Sequence, residues 1–404
     1  MVRNRCQPID ILRGLTILWI TAYHFHVDTR GGSGIATPAA FADAFGAQHW
    51  GAMLDIAART LIALPSYRLD VLLFVTGVVL MLSRSTEPLA FWRRRARAIM
   101  PNYWLGTLAA ALVLVLLALL RSSLKGTDLG AEIHGGTLLA RVPYRFEWVD
   151  LPLSLSVAGR LATTRTMQVV APSLWYVLLI LQFYVVFPFL RRLLERIGPI
   201  AFLAVCAAVM CGGRALVFAG VTWPGFDQNG TLLYFVPFRL FGPALGMVMA
   251  RWVPTASAPP RRWISRALLA PALAVLVWSM WIGAEANQFA LTGAVFPLLA
   301  GLPALWVIAS GVLHSTRATA FFTWMGSHSL SLLVAQDLLR LVTGTVMSIW
   351  GRLDPLTWFL MPVYLALVIA LTPVWHAVPA AALASVEGLR QRFAPRAPEQ
   401  RKAG

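Results

Sequence analysis

The sequence predicts an all-α integral membrane protein, a polytopic bundle of about ten transmembrane helices with both termini cytoplasmic. Of its 404 residues, 58% are hydrophobic and only 13% charged, whereas soluble domains carry roughly 25% charged residues. Apolar stretches long enough to cross a bilayer, near 20 residues each, recur along the chain. Basic residues cluster in alternate connections, which orients the spans.

The expected spans are residues 9–27, 68–83, 99–120, 173–190, 199–219, 231–250, 267–284, 291–314, 318–341 and 358–380. The first is not expected to be a cleaved signal, because Arg13 and His24 interrupt its apolar run. One side of the alternation holds Arg3 and Arg5, the Arg84–Arg97 cluster, Arg191, Arg192 and Arg196, the segment 251–266, Arg317 and the tail. Together these contain twenty of the 34 lysines and arginines. That side is read as cytoplasmic. The net charge of +17 is thus topological, and no nucleic-acid partner is expected. Residues 1–380 read as one membrane domain and 381–404 as a basic cytoplasmic tail. The loop 121–172 is long enough to cap a site from outside. The three cysteines have neither disulfide nor metal spacing, and no metal or permanently bound cofactor is expected.

Ionisable residues inside a span are costly and point to function. In the first span, steps of three and four residues from Asp10 reach Arg13, Ile17, Thr21, His24 and Asp28, which share one helix face. Arg13 and His24 are eleven residues apart, roughly 16 Å along the axis. Histidine suits a general base near neutral pH, and arginine suits a phosphate clamp. A long donor with phosphate at one end and a thioester at the other, such as acyl-coenzyme A, fits between them. Asp28 is placed to orient His24. The same residues also fit a plainer arrangement, in which Asp10 and Arg13 pair and His24 is an interfacial side chain.

The segment "DILRGLTILWITAYHF", with its Arg13-x10-His24 pair, resembles the opening of the acyltransferase-3 family, membrane O-acyltransferases of bacterial glycans. "LDVLLFVTGVVLML", "RRRARAIMPNYW", "PSLWYVLLILQFYVVFPFL", "FRLFGPALGMVMA" and "MGSHSLSLLVAQDLL" follow in the family's order. The resemblance spans about residues 8–378. It implies transfer of an acyl group, with acetyl the first expectation, from cytoplasmic acyl-coenzyme A to a hydroxyl of an envelope carbohydrate or lipid-linked glycan. It maps the family's arginine and histidine onto Arg13 and His24. Departures fall at Ile180 and Leu181, where many members carry glutamate before the Gln-Phe-Tyr, and at Gln336, where many carry histidine.

Around this pair, Arg94 and Arg97 are expected at the donor's phosphates, although they also serve as positive-inside anchors. Asp70 is expected to bind acceptor hydroxyls or support His24, or else to start a helix against its dipole. Tyr103, Trp175 and Tyr184 are expected to stack on adenine or sugar, or to form an interfacial belt. Tyr103 is grouped with the donor and Trp175 and Tyr184 with the acceptor. Gln182, an amide in mid-span, needs a partner. Asp10, Arg239 and Gln336 complete the expected cavity lining, and Asp337 has no assigned role. The rival class is a transporter or flippase of a glycan or lipid, which uses intramembrane Arg, His and Asp for proton coupling but often shows inverted repeats. No repeat is evident here.

Overall fold

A computed structural model describes residues 7–30, 50–62, 65–83, 87–135, 146–251, 305–350 and 356–393, with a few single residues between them. Among the described residues every element is a helix. The main helices are α1 (Gln7–Arg30), α2 (Trp50–Ile62), α3 (Pro65–Met81), α4 (Pro88–Lys125), α5 (Trp175–Ile197), α6 (Pro199–Phe218), α7 (Gln228–Tyr234), α8 (Phe241–Met249), α9 (Thr316–Ser327), α10 (Ser329–Trp350) and α11 (Thr357–Phe393). Five described helices are long and apolar enough to cross a membrane, and Leu69–Met81 in α3 is a shorter apolar stretch. At 24 residues α1 is long enough as well, but its polar stripe lowers its apolarity. Most of the expected span 267–284, half of 291–314 and residues 394–404 of the tail lie outside the described residues.

Two expected spans are each divided in two. In 231–250, Pro237 has no N–H to offer the Leu233 carbonyl and its ring crowds that carbonyl. The chain leaves α7 after Tyr234, makes a 3-10 turn over Val236–Arg239 and enters α8. Gln182 satisfies the break from α5, donating to the Tyr234 carbonyl (2.9 Å) and accepting from the Val236 N–H (3.4 Å). The span 318–341 divides at His328. There the Ser327 hydroxyl (2.8 Å) and the His328 ring (2.9 Å) turn back on the Trp324 carbonyl, competing with helix propagation.

α5 contains Pro188, which leaves the Tyr184 carbonyl without its helical donor. The Trp92 indole N–H of α4 donates to that carbonyl at 2.9 Å, tying α4 to α5.

Where water is absent, close backbone approach and small residues hold helices together. A Cβ on Gly77 of α3 would lie 2.1 Å from the Pro243 carbonyl oxygen, and one on Gly246 of α8 would lie 2.0 Å from that of Phe74. Gly14 of α1 and Gly326 of α9 repeat the reciprocal contact, at 2.2 Å from the Phe322 oxygen and 2.1 Å from the Asp10 oxygen. α1 packs against α3, α9, α10 and α11, so its polar stripe is enclosed by other helices.

After α4 the chain doubles back along it. Tyr103 donates to the Ser154 carbonyl at 2.5 Å and Trp104 to the Leu155 carbonyl at 3.1 Å. These contacts lie roughly 33 Å back along α4 from Lys125. Arg165 closes the segment with Glu147 (3.0 Å) and Asp150 (2.8 Å), and these hydrogen bonds hold its guanidinium above its ordinary pKa. The segment ends in a 3-10 turn, Pro172–Leu174, which delivers Ser173 to the interior.

Candidate functional site

α1 carries Arg13 and His24 on one face, and both side chains are half-buried. Arg13 makes no hydrogen bond or ion pair among the described residues. Its charge acts on Tyr176 and Tyr184 of α5, and its donors are unspent. Such a group can bind an anion.

His24 meets α10. Gln336, which is 0% exposed, sets its amide Nε2 against His24 Nδ1 and donates from it to Ser173 Oγ at 3.1 Å, while its Oε1 accepts from Thr21 Oγ1 at 2.8 Å. The Ser173 hydroxyl in turn accepts from Arg340 Nη1 at 3.0 Å. One amide thus links α1, the 3-10 turn and α10.

Asp28, expected beside His24, faces Arg340 instead. Arg340 Nε donates to Asp28 Oδ2 at 2.6 Å and Nη2 to Oδ1 at 3.0 Å, a bidentate fork. Asp337 lies 3.7 Å from the same guanidinium and accepts from the Ser173 N–H at 3.0 and 3.1 Å. This gives Asp337 a role: it holds Ser173 in place. A buried cation between two buried carboxylates offsets a desolvation cost that either charge alone would leave exposed.

A second buried charge cluster stands on the Arg13 side. Asp70, one turn into α3 and not at its start, pairs with Arg239 at 3.4 Å. Arg214 of α6 reaches their charges and donates to the Phe238 carbonyl at 3.0 Å. Asp70 is therefore engaged with Arg239, and its carboxylate lies within electrostatic reach of Tyr176, as Arg13 does.

The remaining expected residues separate into two groups. Arg94 and Arg97 are exposed, and Arg94 reaches Ser83 Oγ at 3.3 Å. Trp175 packs edge-on against Tyr234, and Tyr184 meets Phe91 edge-on with the Arg95 guanidinium 5.5 Å from both ring centroids. Both rings are half-buried. Two residues are spent on structure. Tyr103 is 0% exposed, bonded to Ser154 and covered by Arg160, which leaves no ring face for a donor. Gln182 satisfies the α7–α8 break. Asp10 does not pair with Arg13, and its backbone lies against Gly326.

Sequence reasoning placed Thr21 on the His24 face without a role and missed Arg340 and Ser173 as members of the His24 network. Arg340 carried a usable signal: an arginine inside an apolar stretch, four residues after Gln336 and so on the same face. Ser173 carried none, since only the fold brings it to His24.

The family model described as an acyltransferase domain, that of acyltransferase-3, matches residues 8–375. No curated protein and no solved structure matches the chain.

Proposed function

The chain belongs to the acyltransferase-3 family, and on that premise we propose that it moves an acyl group from cytoplasmic acyl-coenzyme A to a hydroxyl of an envelope carbohydrate or lipid-linked glycan. It is a membrane acyltransferase of non-aminoacyl groups. Acetyl is the proposed group, and a bacterial inner membrane is the proposed location.

The observation that carries this reading is the arrangement on α1. An arginine with its donors unspent and a histidine held by a buried amide share one face, roughly 16 Å apart. Arg13 holds a phosphate of the donor, and the exposed Arg94 and Arg97 draw its other phosphates to the same end. The pantetheine arm lies along α1, past the half-buried Tyr176 and Tyr184, and presents its thioester near His24.

His24 accepts the acceptor's hydroxyl proton as the oxygen attacks the thioester carbonyl. The oxygen–carbon bond forms, the carbon–sulfur bond breaks, and the proton passes from His24 to the departing thiolate. The products are an ester and free coenzyme A. Enclosure of α1 by its neighbours keeps water from the thioester.

The test is transfer of labelled acetyl from acetyl-coenzyme A into the envelope glycan fraction by membranes containing the protein. Wild type is expected to transfer label. His24→Ala is expected to lose at least about 100-fold in kcat, the span of general-base catalysis. Arg13→Ala is expected to raise KM for the donor with a smaller change in kcat, the mark of lost ground-state binding. Absence of transfer from acetyl-, succinyl- and longer acyl-coenzyme A donors would overturn the reading.

A further inference from the structure

We propose that Gln336 is the positioning residue that selects the basic nitrogen of His24, its amide oxygen accepting from Nδ1–H so that Nε2 keeps its lone pair. This rests on the reading of His24 as the base. It assigns Gln336 a task within the reaction and not a place in a cavity wall.

Protons are the currency that decides it. The structure sets Gln336 Nε2 against His24 Nδ1 and Ser173 Oγ and its Oε1 against Thr21 Oγ1. An amide's two ends are nearly equal in shape, and the orientation proposed is a half-turn from this one. With the nitrogen toward His24, Nδ1 must accept, and the neutral ring then carries its proton on Nε2. With the oxygen toward His24, Nδ1–H donates to it and Nε2 carries the lone pair.

The neighbours choose between these two. The Thr21 hydroxyl has one proton and stands 2.8 Å from the Ile17 carbonyl and 2.8 Å from the Gln336 amide. If the amide turns its oxygen to Thr21, both acceptors claim that proton and one goes without. If the amide turns its nitrogen to Thr21, the hydroxyl gives its proton to Ile17 and accepts from the amide. At the other end Ser173 Oγ, 3.1 Å away, already accepts from Arg340 Nη1 at 3.0 Å, which leaves its proton for the amide oxygen. That oxygen then accepts from Ser173 and from His24 Nδ1–H, a common load for a carbonyl.

The charged and titratable groups around this cluster include Arg340, Asp28 and Asp337, with Arg160 acting on Asp337, and Tyr23, whose ring lies 5.7 Å from that of His24. Tyr364 of α11 donates to the Gln336 backbone carbonyl at 3.3 Å. The two carboxylates are held by Arg340 and by the Ser173 N–H, and at Nδ1 the ring meets the neutral amide.

The experiment reads the ring directly. Full-length protein in lipid is prepared with nitrogen-15 in its histidine rings, and the His24 signals are assigned by their loss in His24→Asn. A protonated, pyrrole-type Nδ1 and a lone-pair, pyridine-type Nε2 are expected above the titration of the ring. The reverse pattern overturns the proposal.

Gln336→Glu places a carboxylate on Nδ1, which favours the imidazolium. The His24 titration and the acid limb of kcat/KM are expected to move together to higher pH, by about one unit or more. Gln336→Met keeps the volume and removes the acceptor. It is expected to lower kcat by about tenfold or more with KM for acetyl-coenzyme A unchanged, as loss of the correct tautomer does. Thr21→Val, a milder change, is expected to act in the same direction and more weakly.

A residue that merely fills space leaves the titration and the pH profile unmoved in Gln336→Glu, and that result also overturns the proposal. If wild type transfers no acyl group, the enzyme reading fails while the ring signals still decide the His24–Gln336 coupling.

Discussion

At the scale of single residues, this interior is governed by pairing. Asp28 and Asp337 are sequestered by Arg340, and Asp70 is held by Arg239 with Arg214 beside it. Removing one partner of such a pair leaves an unmatched buried charge, at a cost of about 3–5 kcal/mol. Arg340→Met is therefore expected to lower stability by about that much, read as thermal unfolding in detergent. The double replacement Asp28→Leu/Arg340→Met is expected to be less destabilising than the sum of its singles by about 0.5–3 kcal/mol, the range of coupling between contacting residues. Additive losses would show that the fork contributes nothing. The first-helix stripe was legible in the sequence because charged residues at helical spacing in an apolar span have few innocent explanations. Which residue each member faces was not legible. Asp28 lies four residues from His24 on the same helix, yet its carboxylate points to a guanidinium 312 positions further along the chain.

At the scale of elements, glycine pairs and unsatisfied backbone groups set the packing. Gly77 and Gly246 put α3 and α8 at backbone contact, and Gly14 and Gly326 do the same for α1 and α9. Gly246→Val has no flexible neighbour to displace, since the Phe74 carbonyl lies 2.0 Å from the added Cβ. The helices must separate, and the expected result is a loss of about 1–3 kcal/mol or more, seen as a lower unfolding temperature and reduced folded yield. Gly212→Ala, on α6 with open space around its Cβ, is the control and should be tolerated. The doubled-back segment between α4 and α5 is held in part by the Tyr103 hydroxyl. Tyr103→Phe leaves the buried Ser154 carbonyl without that donor, at about 1–3 kcal/mol. Faster protease cleavage within 146–171 is expected, and an unchanged rate would mean that other contacts hold the segment.

For the molecule as a whole, the positive-inside distribution predicts both termini in the cytoplasm. A fluorescent protein fused to the carboxyl terminus should fluoresce and an alkaline phosphatase fused there should be inactive, and the opposite pair of results would invert the orientation. The sequence by itself determined that this is a helical membrane protein, which family it belongs to, and which helix carries the candidate chemistry. Those properties are written in local composition, period and motif order, and each can be read within a window of a few turns. Only the tertiary structure decided that two apparent spans are broken, that Gln182 mends one break, that Tyr103 is spent on the doubled-back segment, and that His24 meets Gln336 while Asp28 meets Arg340. The reason is physical. Hydrophobic period states which face of a helix is buried but not what covers it. A buried donor or acceptor is satisfied by whichever group the fold brings within about 3 Å, and sequence distance places no limit on where that group comes from.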